Sequence, residues 1–307
     1  MAVGYLGAFG HVVLDHILTV PRLPRPNTSI AVLDRRQYFG GTAGNLSRRA
    51  ASLGVPTALA SFVGDDFPPE YRRALAASGV DLRDLRTIPG TRTPVAWIFG
   101  ERGGDQMAVI DQGAMRLMEE QALLEHAVRS SRVVHLMTGR PKYYRRVAAL
   151  ALRLGKDVAV DPAQEIHYVY TAGDLKALLS GARFFFGNEA EARQALTFLR
   201  LRSLRDLAAK VPVVVLTFGA KGSVVYDHGA KIAIPRIRPR RVADLTGAGD
   251  AYRAGFYAGL SRGRDLHDCG VLGAASASFA IETVGTQTSI PAWSDLYSRA
   301  ERDLESA

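Results

Sequence analysis

The first eight residues of the segment 243–256, which reads ADLTGAGDAYRAGF, combine a threonine, two glycines and two carboxylates. The residues after Asp250 read as a helix, so the glycines lie at its predicted N-terminus. Unpaired backbone N–H groups and the positive end of the helix dipole favour an anion at such a position. Glycines also let the backbone approach a phosphate without an intervening Cβ. The predicted anion-binding amides are those of Gly247, Ala248 and Gly249.

Asp250 stands beside this predicted anion site, where its charge repels an anion unless it has a chemical task. A general base is the task that fits. The carboxylate accepts the proton of a substrate hydroxyl while neighbouring amides stabilise a phosphoryl group in transfer. The alternative is that Asp250 only caps its helix, as aspartate often does in a first turn. Taken alone, the GAGD motif supports both interpretations equally.

The composition is typical of a large globular protein. With 307 residues, 47% of them hydrophobic, the chain can bury one large α/β core or two smaller ones. Its one cysteine, Cys269, excludes an intrachain disulfide and offers no thiolate cluster for a metal. The N-terminus lacks the basic region of a signal peptide, and no apolar run reaches the length of a membrane span. We therefore expect a cytoplasmic protein without a membrane partner.

The net charge is strongly positive, at +9 with a pI near 9.8, which raises the question of nucleic-acid binding. Most arginines are spread along the chain as solvated helix faces. The one dense basic run, residues 236–241, alternates like an edge strand with one charged face. The charge therefore favours attraction of small anionic substrates, and no nucleic-acid partner is expected.

From about residue 130 onward, short β-branched runs alternate with helical stretches. This pattern is typical of a doubly wound α/β fold, a mostly parallel sheet flanked by helices on both faces. The predicted strands cover residues 132–136, 157–161, 183–186, 213–217 and 223–226. The predicted helices cover residues 143–154, 174–179, 189–198, 203–210 and 251–260.

The first third of the chain follows a different pattern. Residues 28–39 and 94–110 alternate apolar and polar side chains, with a turn signal at residues 102–105, and predict antiparallel strands outside the main sheet. A strand of the main sheet and two helices are predicted between them, at residues 57–63, 44–53 and 69–78.

We predict one domain over residues 1–307, because no linker-like tract divides the chain. A small antiparallel β lid is inserted in it, formed by segments at about 16–40 and 93–112. The open edges of such a lid favour pairing with a second subunit, so a homodimer through the lid is expected.

Two separate signatures resemble those of the ribokinase family, the phosphofructokinase-B type kinases. Residues 243–256 look like the second signature, and residues 38–45, YFGGTAGN, resemble the first, a double glycine before the helix that contacts the acceptor. Residues 188–191, NEAE, are similar to the N-x-x-E element of the family. Residues 217–222, TFGAKG, stand where the family cradles its nucleotide. The resemblance spans nearly the whole chain and implies a kinase that uses ATP and Mg²⁺.

The resemblance also implies roles for individual residues. In the catalytic centre, Asp250 is the base, beside an anion hole formed by Gly247, Ala248 and Gly249. The acceptor hydroxyls are held by Asp15, at the end of the first strand, together with Gly40, Gly41 and Asn45. The nucleotide is bound by Asn188, Thr217, Gly219, Gly222 and Ala274.

Two acidic residues are implied to bind cations. Glu191 organises Mg²⁺ through water, whereas Asp244 either caps the turn or helps to bind a monovalent cation such as K⁺, as in some family members. The chain departs from the family at Ala274, where it has Ala-Ala-Ser and many ribose kinases have Asn-Ala-Ala beside the adenine. Adenine contacts are therefore expected to be looser.

The acceptor is suggested by four segments that resemble the broad-specificity nucleoside kinases of archaea and some bacteria, at residues 25–30, 38–41, 93–99 and 250–256. Trp97 and Phe99 lie on the same side of a predicted lid strand. They either form an aromatic wall for a nucleobase or pack the lid against the core. We expect transfer of the γ-phosphoryl group of Mg·ATP to the 5′-hydroxyl of a ribonucleoside such as inosine, guanosine or cytidine.

Other acceptors and another class of function stay open. Ribose, fructose and inositol kinases share the fold, which does not select the acceptor. A phosphorylated sugar needs further cations in the acceptor pocket, for which Arg140 is the candidate. A non-catalytic nucleoside sensor is the alternative from another class, and the presence of Asp250 with both glycines argues against it.

Overall fold

The computed structural model describes residues 4–101 and 106–304. Within these residues the strands are β1 Leu6–Phe9, β2 Val13–Val20, β3 Asp34–Gly40, β4 Thr57–Val63, β5 Asp81–Thr87, β6 Val95–Glu101, β7 Gln106–Asp111, β8 Val133–Leu136, β9 Asp157–Val160, β10 Phe184–Asn188, β11 Val213–Thr217, β12 Ser223–Asp227 and β13 Ala230–Ile234. The helices are α1 Thr42–Ser52, α2 Pro69–Ala77, α3 Glu125–Ser130, α4 Pro141–Arg153, α5 Ala172–Leu179, α6 Glu189–Leu199, α7 Leu204–Ala208, α8 Ala248–Leu260, α9 Leu266–Ala280 and α10 Trp293–Leu304. Short 3₁₀ turns lie at Gly113–Glu120, Ala163–His167 and Gly219–Lys221.

The main sheet contains nine of the described strands, in the order β13-β12-β11-β10-β9-β8-β1-β4-β5. From β5 to β11 all neighbouring strands run parallel, and β12 and β13 extend the sheet antiparallel at one edge. The central strands are apolar runs because both faces of the sheet are covered, and every residue of β4 is buried. The predicted fold class, a doubly wound and mostly parallel α/β sheet flanked by helices, is confirmed.

Strand β10 shows how one sheet builds two cores. Phe184 and Phe186 pack in the core with helices α1, α2, α8, α9 and α10, whereas Phe185 packs in the core with α3 to α7. Successive side chains of a strand point to opposite faces, so three consecutive phenylalanines serve both layers. Each face of the sheet therefore buries its own layer of helices.

A second sheet of four described strands has the order β3-β2-β6-β7, and we call it the lid sheet. β2 pairs antiparallel with β3, and β6 with β7, while the central pair of β2 and β6 runs parallel. Strand β2 begins at Val13, before the predicted lid boundary, and β3 begins only at Asp34. The predicted turn at residues 102–105 lies outside the described residues.

The basic run at residues 236–241 is not a strand, contrary to the prediction. Pro235 directly follows β13, and Pro235 and Pro239 remove two amide donors that an edge strand would use. Residues just after helix α9 hold the segment instead, since Nε of Arg241 donates to the carbonyl of Glu282 at 2.7 Å. The glycine-rich turn therefore follows an irregular segment rather than a strand.

The single cysteine, Cys269, is buried on helix α9. Burial raises the pKa of its thiol, so the thiol stays protonated near neutral pH. In the ranges that the structure describes, no helix is both long enough and apolar enough to cross a membrane. The cytoplasmic location stays a prediction of the sequence.

Helices α8 and α9 approach each other so closely at Gly255 that no side chain fits. A Cβ there would lie 2.3 Å from the carbonyl oxygen of Leu272 and 2.7 Å from Cβ of Ser276. We predict that Gly255→Ala lowers the free energy of unfolding by roughly 1–3 kcal/mol, the usual cost of overpacking, as measured by urea denaturation. Gly100→Ala is the control, because nothing lies within 4 Å of that position. Equal denaturation midpoints for the two variants would contradict this close contact.

Candidate active site

A cavity of about 510 Å³ is lined by residues of the main sheet and of the lid sheet. On one side it is lined by residues at the carboxyl ends of parallel strands, including His11 after β1, Thr138 after β8 and Thr217 at the end of β11. The lid sheet contributes residues such as Val13 and Ile98. Ligands of doubly wound sheets bind at this edge, so the cavity is the candidate active site.

The start of helix α8 borders the cavity with free backbone amides. Gly247 is its N-cap, with a φ of 76°, and a Cβ there would lie 2.8 Å from Cγ2 of Thr286, so only glycine fits. Gly247 and Gly249 line the cavity, and their amides donate to no acceptor among the described residues. The amide of Ala248 instead donates to the carbonyl of Leu245 at 3.3 Å, and Ala248 does not line the cavity. Two of the three predicted anion donors are therefore available.

Asp250 lies in the first turn of α8 and lines the cavity. Its Oδ2 accepts a hydrogen bond from Nδ2 of Asn45 at 2.8 Å, and it makes no capping bond to its own helix. Burial raises the pKa of Asp250 to about 6, while the bond from Asn45 and the charge of Arg253 act in the opposite direction. The capping alternative is excluded, and a carboxylate of this kind is suited to accept a proton.

Asn45, on helix α1, is held in one orientation by the segment that follows helix α9. Its Oδ1 accepts from Oγ1 of Thr286 at 2.7 Å and from Nε2 of Gln287 at 3.0 Å. Because the amide oxygen is used twice, Nδ2 is left to donate to Asp250. Thr286 and Gln287 belong to no recognisable motif, so the sequence did not predict this role.

The prediction that Asp15 lies at the end of the first strand is wrong. Asp15 lies within strand β2 of the lid sheet. The first strand ends at Phe9, and a new strand begins at Val13. Asp15 lines the cavity and is only 6% exposed, and its carboxylate forms no hydrogen bond with any described residue. Burial raises the pKa of Asp15 to about 7, and the charges of Asp250 and Asp244 add to this. A buried carboxylate without a partner is unfavourable, so this group is suited to accept hydrogen bonds from a ligand.

The double glycine brings the backbone against these groups. A Cβ on Gly40 would lie 1.9 Å from Oδ2 of Asp15, so any side chain there would displace the carboxylate. Gly41 has a φ of 87°, and its carbonyl accepts from the amide of Asn45 at 2.8 Å. The predicted acceptor residues therefore form one cluster, although Gly40 supports Asp15 without lining the cavity itself.

Asn188 and Glu191 form a capping box at the start of helix α6. The Asn188 side chain accepts from the amide of Glu191 at 2.9 Å, and the two carboxylate oxygens of Glu191 accept from the amide and Nδ2 of Asn188 at 2.7 and 2.9 Å. Burial raises the pKa of Glu191. Both residues line the cavity, as does Thr217, which pairs with Asn188 between β10 and β11. These predicted residues therefore share a cavity with Asp250.

Three other predicted nucleotide-binding residues do not line the cavity, namely Gly219, Gly222 and Ala274. Gly219 is exposed, because the 3₁₀ turn that it begins lies at the protein surface. Gly222 packs against the carbonyl of Ile234, and Ala274 packs on the core beneath helix α9. The structure therefore separates these three residues from the enclosed part of the site.

Asp244 closes the turn before helix α8. Its Oδ1 accepts from the amide of Thr246 at 2.9 Å, and its Oδ2 accepts from the amide of Gly285 at 3.1 Å. The structure therefore shows the first of its two predicted roles. Binding of a monovalent cation such as K⁺ stays a prediction.

Four polar residues that the sequence did not single out form a chain along the cavity. His11 bonds to Oγ1 of Thr138 at 2.8 Å and to Oε1 of Gln112 at 2.6 Å, and Nε2 of Gln112 donates to Oε1 of Glu165 at 2.9 Å. They follow strands β1, β7, β8 and β9. Their position after a strand was the only available signal, and it does not identify a residue type.

Arg253 is a further cavity residue that the sequence did not predict, although it belongs to the second signature. It follows Asp250 by three positions on helix α8, so both side chains lie on one helix face. Among the described residues that line the cavity, Arg253 is the only arginine or lysine. Arg140, the cation predicted for the acceptor pocket, does not line it.

Trp97 and Phe99 do not form an aromatic wall of the cavity, contrary to one of the two predicted roles. Ala96 is the register partner of Asp15, and Ala96 and Ile98 line the cavity. Because side chains alternate along β6, Trp97 and Phe99 lie on the outer face of the lid sheet, where Trp97 is 37% exposed. They do not pack against the core either, and small aliphatic side chains face the cavity instead.

A carboxylate beside free amides at a helix N-terminus, at the carboxyl edge of a doubly wound sheet, is an arrangement suited to phosphoryl transfer. The model of the pfkB family carbohydrate kinases matches residues 4–293, and the chain belongs to this family. The nucleoside kinase of Methanothermobacter thermautotrophicus is 37% identical over 287 residues, which cover 92% of this chain and 91% of that relative.

Solved structures agree with this assignment. The crystal structure of the Methanocaldococcus jannaschii nucleoside kinase is 35% identical, with a TM-score of 0.89 over 97% of this chain and 98% of that one. A Burkholderia thailandensis nucleoside kinase in complex with inosine has a TM-score of 0.88 over 98% of each chain, and at 23% identity it shows the fold alone. The chain is an ATP-dependent phosphotransferase similar to archaeal nucleoside kinases.

The raised pKa values of Asp15 and Asp250 predict how the reaction depends on pH. We expect each carboxylate to act in its ionised form, so activity should be present above the two pKa values and be lost as the pH falls through them. We predict that kcat/KM rises with pH to a plateau, with the acid limb between about 6 and about 7. In Asp15→Asn only one of the two groups titrates, so the residual activity should show a shallower acid limb. An identical limb in pH–rate profiles of both proteins would contradict a role for Asp15.

Proposed function

We propose that the chain transfers the γ-phosphoryl group of ATP to the 5′-hydroxyl of a ribonucleoside, with a broad range that includes inosine, guanosine and cytidine. One observation carries this proposal: two carboxylates of different surroundings line the same cavity. Asp250 is bound by Asn45 beside free amides, whereas Asp15 is buried and has no hydrogen-bond partner in the described chain. One can take a proton while the other binds neighbouring hydroxyls of the acceptor. The relatives named above are nucleoside kinases, which supports a nucleoside acceptor.

In the proposed reaction, Asp250 accepts the proton of the 5′-hydroxyl while a lone pair of O5′ forms a bond to the γ-phosphorus. The bond between the γ-phosphorus and the bridging oxygen breaks, and its electron pair leaves with ADP. The amides of Gly247 and Gly249 stabilise negative charge on the group in transfer. Because the transition state of phosphoryl transfer is loose, positioning and charge stabilisation supply most of the catalysis.

The remaining surface of the cavity suits a nucleobase better than a bare sugar. Its lid side is aliphatic, with Ala96, Ile98 and Ile110, and can cover a flat ring. The polar chain from His11 through Gln112 to Glu165 offers hydrogen-bonding groups along another side. We therefore assign the base to the space between the lid and this chain.

We propose that Mg²⁺ accompanies ATP and that Glu191 and Asn188 hold it through water. Each carboxylate oxygen of Glu191 accepts one hydrogen bond from Asn188, so each keeps a lone pair for a water ligand at the cavity surface. Mg²⁺ prefers oxygen ligands and keeps several waters beside substrate phosphates, so this donor set fits the ion. The bound ion neutralises charge on the phosphates.

A screen of nucleosides and free sugars, coupled to ADP release, tests the acceptor. We predict that ribonucleosides are turned over with higher kcat/KM than ribose, fructose or inositol, and that Asp250→Asn lowers kcat by roughly two to four orders of magnitude because the base is lost. The product of the nucleoside reaction should carry its phosphate at O5′, which ³¹P NMR identifies.

Asp174→Asn is the matched control, since Asp174 occupies the same position in the first turn of helix α5, is only partly buried and does not line the cavity. It should leave kcat unchanged. Preference for a free sugar would refute the nucleoside acceptor, whereas near-normal turnover by Asp250→Asn would remove Asp250 from the mechanism.

We also propose that two chains pair through the outer face of the lid sheet. Trp97 lies opposite Val109 and Phe99 opposite Met107 in the register of β6 and β7, so these apolar side chains share one face. Trp97, Met107 and Val109 are 37%, 43% and 52% exposed, which is a large apolar surface for a kinase lid to leave in water. A second copy of the chain supplies the same surface for a two-fold contact.

We predict that the protein sediments as a dimer and that Trp97→Lys combined with Val109→Lys yields a monomer, as measured by analytical ultracentrifugation. Two buried lysines per chain would oppose the contact through desolvation and like-charge repulsion. Leu154→Lys, at an exposed apolar position after helix α4, should leave the dimer intact. A dimer that survives the paired substitution would place the interface elsewhere.

A further inference from the structure

We propose that Arg253 is a catalytic residue, which contacts the transferring phosphoryl group through Nη1 and supplies fixed positive charge to it. The inference rests on the proposed phosphoryl transfer at Asp250. Arg253 lines the cavity one helical turn after Asp250, yet its side chain is only 6% exposed. A buried guanidinium in this place needs an explanation.

The hydrogen bonds of Arg253 leave one nitrogen for a ligand. Nη2 donates to Oδ1 of Asp161 at 2.7 Å, and Nε donates to Oδ2 of the same carboxylate. Nη1 donates to no acceptor among the described residues. It is also not one of the fully buried side-chain atoms that lack a hydrogen-bond partner. It lies beside the anion site, since a Cβ on Gly249 would be 2.8 Å from it. Two N–H groups of Nη1 are therefore free next to the amide of Gly249.

The charges around the cavity show why a cation is needed there. Carboxylates of Asp15, Glu165, Glu191 and Asp250 line it, and ATP brings several negative charges of its own. Arg253 is the only arginine or lysine among the described residues of this lining. Burial disfavours its charge, but the carboxylate of Asp161 outweighs burial and holds the pKa of Arg253 above its ordinary value. The guanidinium is therefore a permanent counter-charge for a phosphoryl group.

A buried hydrogen-bond chain fixes the position of Arg253. Asp161, which follows strand β9, also accepts from Nε2 of His135 at 3.0 Å, and Nδ1 of His135 lies 2.6 Å from the hydroxyl of Tyr257. Burial lowers the pKa of His135, so its neutral ring donates through Nε2 and accepts the Tyr257 hydroxyl at Nδ1. Tyr257 stands on α8 one turn after Arg253. A donor fixed in advance stabilises a transition state without the cost of reorganisation.

A purely structural ion pair between Arg253 and Asp161 is the alternative. Such a pair needs Nε and Nη2 alone, and it explains neither the free Nη1 nor its position against Gly249. Buried ion pairs also add little stability compared with apolar residues of the same volume. The two roles differ in the kinetics that they predict.

The test is steady-state kinetics of Arg253→Lys. Lysine keeps the charge and can pair with Asp161, but it has one nitrogen and cannot reach the phosphoryl group as well. We expect kcat to fall roughly 100-fold, the usual loss for one transition-state donor, with the nucleoside KM nearly unchanged. In Arg253→Ala, millimolar guanidinium should restore part of kcat, and sodium at equal ionic strength should not.

Arg262→Lys is the matched control, because Arg262 lies two residues beyond the end of α8 and donates to the backbone carbonyls of Leu53 and Ala258 away from the cavity. It should keep kcat. The double variant Arg253→Gln with Asp161→Asn removes both charges of the pair, so neither partner is left as an unpaired buried charge, and it should fold with the same low kcat. Circular dichroism melting measures the folded fraction of each variant.

A kcat for Arg253→Lys or the folded double variant within about threefold of the parent protein would overturn the proposal. A loss that matches only the unfolded fraction, without guanidinium rescue, would likewise show a structural role. These outcomes are distinct from failure of the proposed function, which appears in the parent protein as absence of nucleoside turnover. The same variants are then compared on whichever hydroxyl acceptor the parent protein uses.

Discussion

The hydrogen bond from Asn45 to Asp250 joins segments that lie 205 residues apart in the chain. It sets the double glycine before helix α1 against the first turn of helix α8, so the groups that we propose to hold the acceptor meet the groups that we propose to hold the phosphate. Thr286 and Gln287 donate hydrogen bonds to the oxygen of the Asn45 side-chain amide and so fix its orientation. The groups that line the cavity have a defined arrangement because the hydrogen bond between Asn45 and Asp250 has a defined geometry. The lid, the anion site and the buried arginine are all placed relative to it.

The cavity is lined by several carboxylates and, among the described residues, by one arginine. Burial raises the pKa of both Asp15 and Asp250, because a partly enclosed site is a poor environment for two carboxylates. Arg253 opposes the effect at Asp250, and Asp161 keeps Arg253 charged. The pKa values of Asp15 and Asp250 therefore lie near neutral pH, where these carboxyl groups can exchange protons. A substrate that brings hydroxyls and phosphates completes hydrogen bonds that the protein by itself leaves open.

Local patterns identified most elements, and they failed where a neighbouring strand decides which way a side chain points. The repeating β-branched runs and helices after residue 130 predicted the main sheet correctly, because each run carries its own periodicity. The orientation of Trp97 depends on the register of β6 with β2, which no local pattern contains. The basic run at residues 236–241 has strand-like alternation, but its prolines cannot complete a hydrogen-bonded edge.

The sequence by itself determined the fold class and the turn that we propose to bind phosphate, because glycine spacing, helix start and carboxylate position lie within one short segment. It also named Asp15, Asn45 and Asp250, through the resemblance of two signatures. Only the tertiary structure decided that the Asp15 carboxylate has no hydrogen-bond partner among the described residues, that the amide of Ala248 is already hydrogen-bonded, and that Arg253 lines the cavity while Arg140 does not. These properties depend on which groups from distant segments come within hydrogen-bond distance. That proximity is set by packing of whole helices and sheets, and a local stretch of chain does not encode it.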